Sequence, residues 1–157
     1  MLLGIISDSH DNLSKIRRAV KLFNRKKVEF VLHLGDFVAP FSVRVLKELK
    51  CPWHGIFGNN DGEKEGLLKI SEGKIKSSPL RIELNKRRIT LVHDINTINL
   101  SEEKSDIIRF GHTHRTQMEK KDSFLLFNPG EWCGWITGRA TIALLDLETL
   151  YYKIIKI

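Results

Sequence analysis

In its first half the chain alternates short, mainly apolar stretches with segments whose apolar residues recur at helical spacing. Leu2 to Ser7 is an apolar run that ends in a polar residue, and Val28 to Leu34 and Trp53 to Phe57 are further, mainly apolar stretches. Each reads as a buried strand. Between the first two, Leu13, Ile16, Val20 and Phe23 fall on one face of a helix over Leu13 to Asn24, which Asp11 or Asn12 can cap. Pro40 can open a second helix that runs to about Leu49. The order strand, helix, strand, helix, strand predicts parallel strands joined by crossovers.

The second half changes character. Leu80 to Leu84 and Ile89 to His93 flank the polar turn Asn85 to Arg87, a hairpin signal. Further strands are predicted at Ile107 to Phe110, Thr116 to Lys120, Ser123 to Phe127, Thr141 to Asp146 and Tyr151 to Ile157. Only Glu63 to Ile70 and Ile98 to Glu103 read there as short helices. There is no internal repeat, low-complexity tract or Pro/Gly-rich linker. The pattern predicts an α/β protein, two packed mixed sheets with helices outside, and one continuous domain over residues 1–157.

Composition narrows the class without changing this picture. With 41% hydrophobic and 29% charged residues the chain is ordinary for a globular protein. No apolar run approaches the roughly 18 residues of a spanning helix, and the first segment lacks a basic lead-in or cleavage site. A cytoplasmic protein with no membrane partner is expected. Cys51 and Cys133 form neither a CxxC pair nor a zinc pattern and are read as free thiols. The net charge of +7 favours anionic partners. Much of it, however, lies in Arg17, Arg18, Lys21, Arg25, Lys26 and Lys27, which reads as a solvated helix face ahead of a nucleic-acid surface.

The candidate chemistry sits just after predicted strands, where open α/β sheets place ligand-binding residues. In Ser7-Asp8-Ser9-His10 a carboxylate and an imidazole are two residues apart, so an extended backbone would point both to one side. Asp36, after Gly35, offers two oxygens that can bridge two cations. Gly58-Asn59-Asn60-Asp61 ends the third strand, with the glycine expected to permit an unusual turn and Asn59 offering a neutral oxygen. His93 closes the hairpin strand. Gly111-His112-Thr113-His114 repeats the two-residue spacing, which places two imidazoles on one face. Taken singly these motifs are also helix caps and turns; as an ordered set of carboxylate and imidazole donors they predict a site for manganese, iron, nickel or zinc.

This ordered set resembles the calcineurin-like metallophosphoesterase superfamily, and the chain length is similar to its small archaeal and bacterial phosphodiesterases. The resemblance spans Ser7 to Gly130. It implies an αββα four-layer sandwich and two divalent metal ions, Mn2+ or Ni2+ ahead of Fe and Zn. It further implies that Asp8, His10, Asp36 and His114 hold one ion, that Asp36, Asn59, His93 and His112 hold the other, and that Asp36 bridges. The implied activity is hydrolysis of phosphodiester bonds by in-line attack of a metal-activated hydroxide.

Several residues depart from the family pattern. Asn60 stands where many larger relatives have a histidine, and an amide can donate a hydrogen bond but cannot act as a general acid near neutral pH. Asn60 and Asp61 complete the candidate catalytic set, with Asp61, like Thr113, expected to orient neighbouring ligands. Asp94 stands in place of a usual glycine and is expected to face solvent. Glu131 follows Asn128-Pro129-Gly130 where serine is usual, and Trp132 and Trp135 line a substrate mouth or pack in the core or against a partner. His33 and His54, inside strands, are read as structural. A small phosphodiester is the expected substrate, with self-association left open. A non-catalytic scaffold similar to the retromer subunit of this fold is the alternative, and a weak nuclease acting on nucleic acid ranks third.

Overall fold

The computed structural model describes residues 1–121 and 123–156. It is an α/β sandwich of two mixed sheets. Strands β1 (Leu2–Ile6), β2 (Phe30–His33), β3 (Trp53–Ile56), β4 (Ile75–Lys76), β10 (Thr141–Asp146) and β11 (Tyr152–Lys156) form one sheet in the order β11-β10-β1-β2-β3-β4. Strands β5 (Leu80–Leu84), β6 (Arg87–Val92), β7 (Ile107–Phe110), β8 (Thr116–Lys120) and β9 (Leu125–Pro129) form the other in the order β5-β6-β7-β9-β8. The run β1, β2, β3, β4 is parallel, as the strand–helix alternation predicts, and β10 joins β1 antiparallel with Gly4 opposite Leu144.

Helix α1 (Leu13–Arg25) starts where Asn12 Oδ1 accepts the Lys15 N–H at 3.2 Å. Of the two candidate caps, Asn12 is the one used. The helix buries Ile16, Ala19, Val20, Leu22 and Phe23 against the first sheet, where Val31, Ile142 and Leu144 meet it. Each such side chain contributes roughly 1.5–3 kcal/mol, so a charge at Val20 would undo this layer. Between the sheets, Leu3, Ile5, Leu32, Leu34 and Ile56 interlock with Ile89, Leu91, Ile107 and Phe127.

Three expectations need correction. The helix opened by Pro40 is α-helical only over Pro40–Val43 (α2) and continues as a 3-10 turn over Arg44–Glu48. Ile98 to Glu103 forms no helix. There Asn99 Oδ1 accepts both the Ser101 N–H at 3.2 Å and its hydroxyl at 2.8 Å, a local turn that competes with helical bonding. The outer cover of the second sheet is therefore a 3-10 turn at Ile95–Thr97 and the loop after it, packed on Val92, Ile108 and Phe110. The strand expected at Ser123 to Phe127 lies over Leu125–Pro129, and Ile157 is outside the described residues. Helix α3 (Lys64–Ile70) matches expectation, and β4 had no signal of its own because it is two residues long. No helix among the described residues is long and apolar enough to cross a membrane.

Candidate metal centre

All seven candidate ligands lie along one edge of the sandwich, just past the ends of five strands. Asp8 and His10 follow β1, Asp36 follows β2, Asn59 follows β3, His93 follows β6, and His112 and His114 follow β7. Five of them have left-handed backbone: φ is 52° at Asp8, 38° at His10, 59° at Asp36, 64° at His112 and 60° at His114. The extended backbone expected for the two X-x-His motifs is thus wrong. Kinks in the chain, and not strand alternation, aim these side chains, each at a cost of about 1–2 kcal/mol.

The kinks sort the ligands into two clusters. In the first, donor atoms of Asp8, His10, Asp36 and His114 all lie within 4.8 Å of one another. His10 Nε2 is 3.5 Å from Asp36 Oδ2, and His114 Nε2 is 3.5 Å from Asp8 Oδ1. In the second, Asn59 Oδ1 lies 2.9 Å from both His93 Nε2 and His112 Nδ1, and His93 Nε2 is 3.4 Å from Asp36 Oδ2. Asp36 Oδ2 therefore stands between the clusters. His112 and His114, expected on one face, turn to different clusters.

The donor set fits divalent cations. Ligands at right angles around an ion with bonds of about 2.1 Å lie about 3.0 Å apart, close to the separations above. Asp8 Oδ2 and His10 Nε2 are buried without a hydrogen-bond partner among the described residues, and such orphaned atoms are rare. A cation supplies what they lack. Cys133 Sγ also lies near His10 and His114, but burial and the Glu131 carboxylate push its pKa up to about 12. Its proton is engaged by Glu131 Oε2 at 3.0 Å, whereas Asp8, His10, Asp36 and His114 form a four-donor group without it.

Charge is arranged around Asp36. Burial would raise its pKa, but the hydrogen bond and charge of His93 and two bonds from Asn60 outweigh that and hold it well below the usual carboxylate range. Burial would lower His93, yet Asp36 lifts it to about 9. Asp8 is raised by burial. His33, stacked on Phe37 with ring centroids 3.7 Å apart, is pushed down to about 3 by burial. It accepts the Gly35 N–H at Nδ1 and so donates from Nε2 to Ser9, the structural role expected of it.

Neighbouring residues fix the ligands. Asp61 is buried and accepts the N–H groups of Asp36 at 3.0 Å, Val38 at 2.8 Å and Gly58 at 2.8 Å. It orients the Asp36 loop and faces no open space. Asn60 is exposed at the mouth and donates from Nδ2 to Asp36 Oδ2 at 2.8 Å. Gly58 does not supply the unusual φ expected of it. Its role is close approach, since a Cβ there would collide with Asp36 Oδ1 and lie 2.6 Å from Asp36 N. Gly111 does the same against Ser7 Oγ and Asp8 Oδ2. Thr113 accepts from buried Asn128, and Asp94 caps the turn after β6 by accepting the Asn96 N–H at 3.0 Å.

Of the two tryptophans, Trp132 is core, whereas Trp135 is 67% exposed with its indole N–H 3.4 Å from the His10 carbonyl. Glu131, which the sequence marks only as a departure from the family pattern, reaches the first cluster. It is fully buried and 2.8 Å from His114 Nδ1, and hydrogen bonds from Cys133, Thr137 and His114 overcome burial to hold its pKa at about 2. The available signal was a charged residue directly after Asn128-Pro129-Gly130.

A model of the calcineurin-like phosphoesterase superfamily domain matches residues 1–150. The chain belongs to the calcineurin-like phosphoesterase superfamily. It is similar to Phosphodiesterase MJ0936 of Methanocaldococcus jannaschii, 37% identical over 98% of this chain and 97% of the relative. It is also similar to Phosphodiesterase YfcE of Escherichia coli, 27% identical over 83% and 78%. A solved archaeal phosphodiesterase superposes over the full length of both chains with a TM-score of 0.93 and 34% identity. The fold is thus that of a small metallophosphoesterase, a family that implies divalent metal ions, and Asp8, His10, Asp36 and His114 form a cluster that could hold one.

Proposed function

We propose that the chain is a phosphodiesterase with a dinuclear site, in which Asp8, His10, Asp36 and His114 hold one divalent ion and Asp36, Asn59, His93 and His112 the other. The observation that carries this reading is the position of Asp36 Oδ2, 3.5 Å from His10 Nε2 and 3.4 Å from His93 Nε2, with separate donors on either side. Bound there, the ions supply an acidified water as nucleophile and neutralise charge on the phosphoryl oxygens. Mn2+ and Ni2+ suit this mixture of imidazole and oxygen donors.

The chain's own residues set what is left. Asp61 holds the bridging carboxylate through the backbone of Asp36, so its Oδ2 stays aimed between the clusters. Asn60 donates its amide at the open side of that carboxylate and has no acidic proton for a departing alkoxide. Esters whose leaving groups need no proton are therefore favoured, which supports small activated diesters as substrates and agrees with relatives named as phosphodiesterases. The unpaired thiols Cys51 and Cys133 fit a reducing compartment, and we infer a cytoplasmic location.

The test is turnover by the purified, metal-stripped chain with Mn2+, Ni2+ or Zn2+ added back, on an activated aryl phosphodiester and the matching monoester. Metal-dependent diester hydrolysis at least about tenfold faster than monoester hydrolysis is expected. Full metal loading without turnover, or a faster monoester, overturns the proposal.

A further inference from the structure

Glu131 is a buried carboxylate surrounded by donors. His114 Nδ1 is 2.8 Å from Oε2, Cys133 Sγ donates to the same oxygen at 3.0 Å, and the Ile136 N–H reaches both oxygens at 3.2 Å. Thr137 gives its N–H and its hydroxyl, the latter at 2.6 Å, to Oε1. No lysine or arginine forms an ion pair with it among the described residues, and its side chain has no exposed surface.

A neutral acceptor would suffice to tie down the loop after β9, so the charge needs another reason, since burying a carboxylate is costly. The one partner whose chemistry the charge alters is His114. An ionised carboxylate only accepts hydrogen bonds, so the contact requires the proton on Nδ1 and leaves the Nε2 lone pair facing Asp8 Oδ1, 3.5 Å away. A hydrogen-bonded carboxylate behind a histidine also makes the far nitrogen a better electron donor.

We propose that Glu131 is a positioning residue that locks His114 in the Nδ1–H tautomer, with Nε2 turned into the Asp8–His10–Asp36 cluster. The proposal rests on the metal-site reading given under Proposed function. Because every oxygen of Glu131 is held by the backbone or side chains of 133–137, the imidazole has a fixed partner before any ion arrives. The site is pre-formed at this ligand.

The first measurement needs no variant. Nitrogen-15 NMR of the His114 ring in the metal-free wild-type chain, at a pH alkaline enough for a neutral ring, should show the proton on Nδ1. A proton on Nε2 overturns the proposal. The second is calorimetric titration with Mn2+. Glu131→Gln should weaken binding by about tenfold to a hundredfold. Thr137→Val removes a bond to Glu131 yet leaves its contact with His114, and it should weaken binding much less. Equal losses in the two variants would mean that Glu131 only braces the loop, and would overturn the proposal. A wild-type chain that takes up no Mn2+ sinks the metal-site reading instead, and the tautomer then decides the role of Glu131 alone.

Discussion

His93 Nε2 and Asp36 Oδ2 lie 3.4 Å apart at the junction of the two donor clusters, and each alters the other's proton affinity. Asp36 outweighs the effect of burial and lifts His93 from its ordinary 6.5 to about 9, while His93 helps keep Asp36 ionised. The second nitrogen of the ring, Nδ1, is 2.7 Å from the Leu34 carbonyl, which can only accept, so the proton that an ion must displace is the one on Nε2.

Affinity for Mn2+ should therefore rise with pH, by up to about tenfold per unit through the range below pH 9, and level off above it. Stability of the metal-free chain runs the other way. Because the folded pKa is raised, the pair contributes fully below pH 6.5, and its contribution fades as pH rises through about 9. Titration calorimetry and chemical denaturation at several pH values check both trends. A pH-independent affinity would remove His93 from the ligand set.

Asp36→Asn should leave the fold in place and abolish activity, with a loss of at least about a thousandfold, since a neutral amide cannot serve both clusters. Circular dichroism with turnover measurements reads this directly. Activity within tenfold of wild type would mean that the two clusters do not share this residue.

Asn60→His introduces a titratable donor where the amide now touches Asp36 Oδ2 at 2.8 Å. Hydrolysis of esters with poor leaving groups should rise by about tenfold or more, with little change for activated aryl esters. The measurement is the ratio of rates on the two substrate types.

Gly58→Ala places a Cβ against Asp36 Oδ1 and 2.6 Å from Asp36 N. The Asp36 loop must move, with an expected cost of about 1–3 kcal/mol in denaturant unfolding and weaker Mn2+ binding. Unchanged binding would show that the loop tolerates displacement.

Arg109→Met should stabilise the chain. Arg109 is buried in β7 over the Phe127 ring at 4.7 Å, and none of its guanidinium nitrogens has a hydrogen-bond partner among the described residues. Replacing an unpaired buried cation with an apolar side chain of similar length should add about 1–4 kcal/mol, a rise of roughly 2–16 °C in Tm. A lower Tm would show that the guanidinium is better satisfied than its protein contacts indicate.

Much of this was legible in the residue order. Alternating apolar runs and helical spacing located β1, α1, β2 and β3, because burial on both faces leaves a mainly apolar stretch. The candidate ligands were legible because each follows a strand end. The backbone at Asp8, His10 and His114 was not, since left-handed φ at a non-glycine residue leaves no mark in composition. Glu131 stood out as a departure from the family pattern, but its contact with His114, seventeen residues away in sequence, was hidden. Ile98 to Glu103 misled because Asn99 and Ser101 bond locally, which apolar spacing does not record.

The candidate ligands come from both sheets: Asp8, His10, Asp36 and Asn59 from one, His93, His112 and His114 from the other. An ion held in either cluster is thus a rivet through the seam between them. Chelation should release that seam first, so amide exchange in β6 and β7 should quicken before the helical side of the molecule loosens. Mechanical coupling of the two sheets and chemistry at their edge then depend on the same atoms.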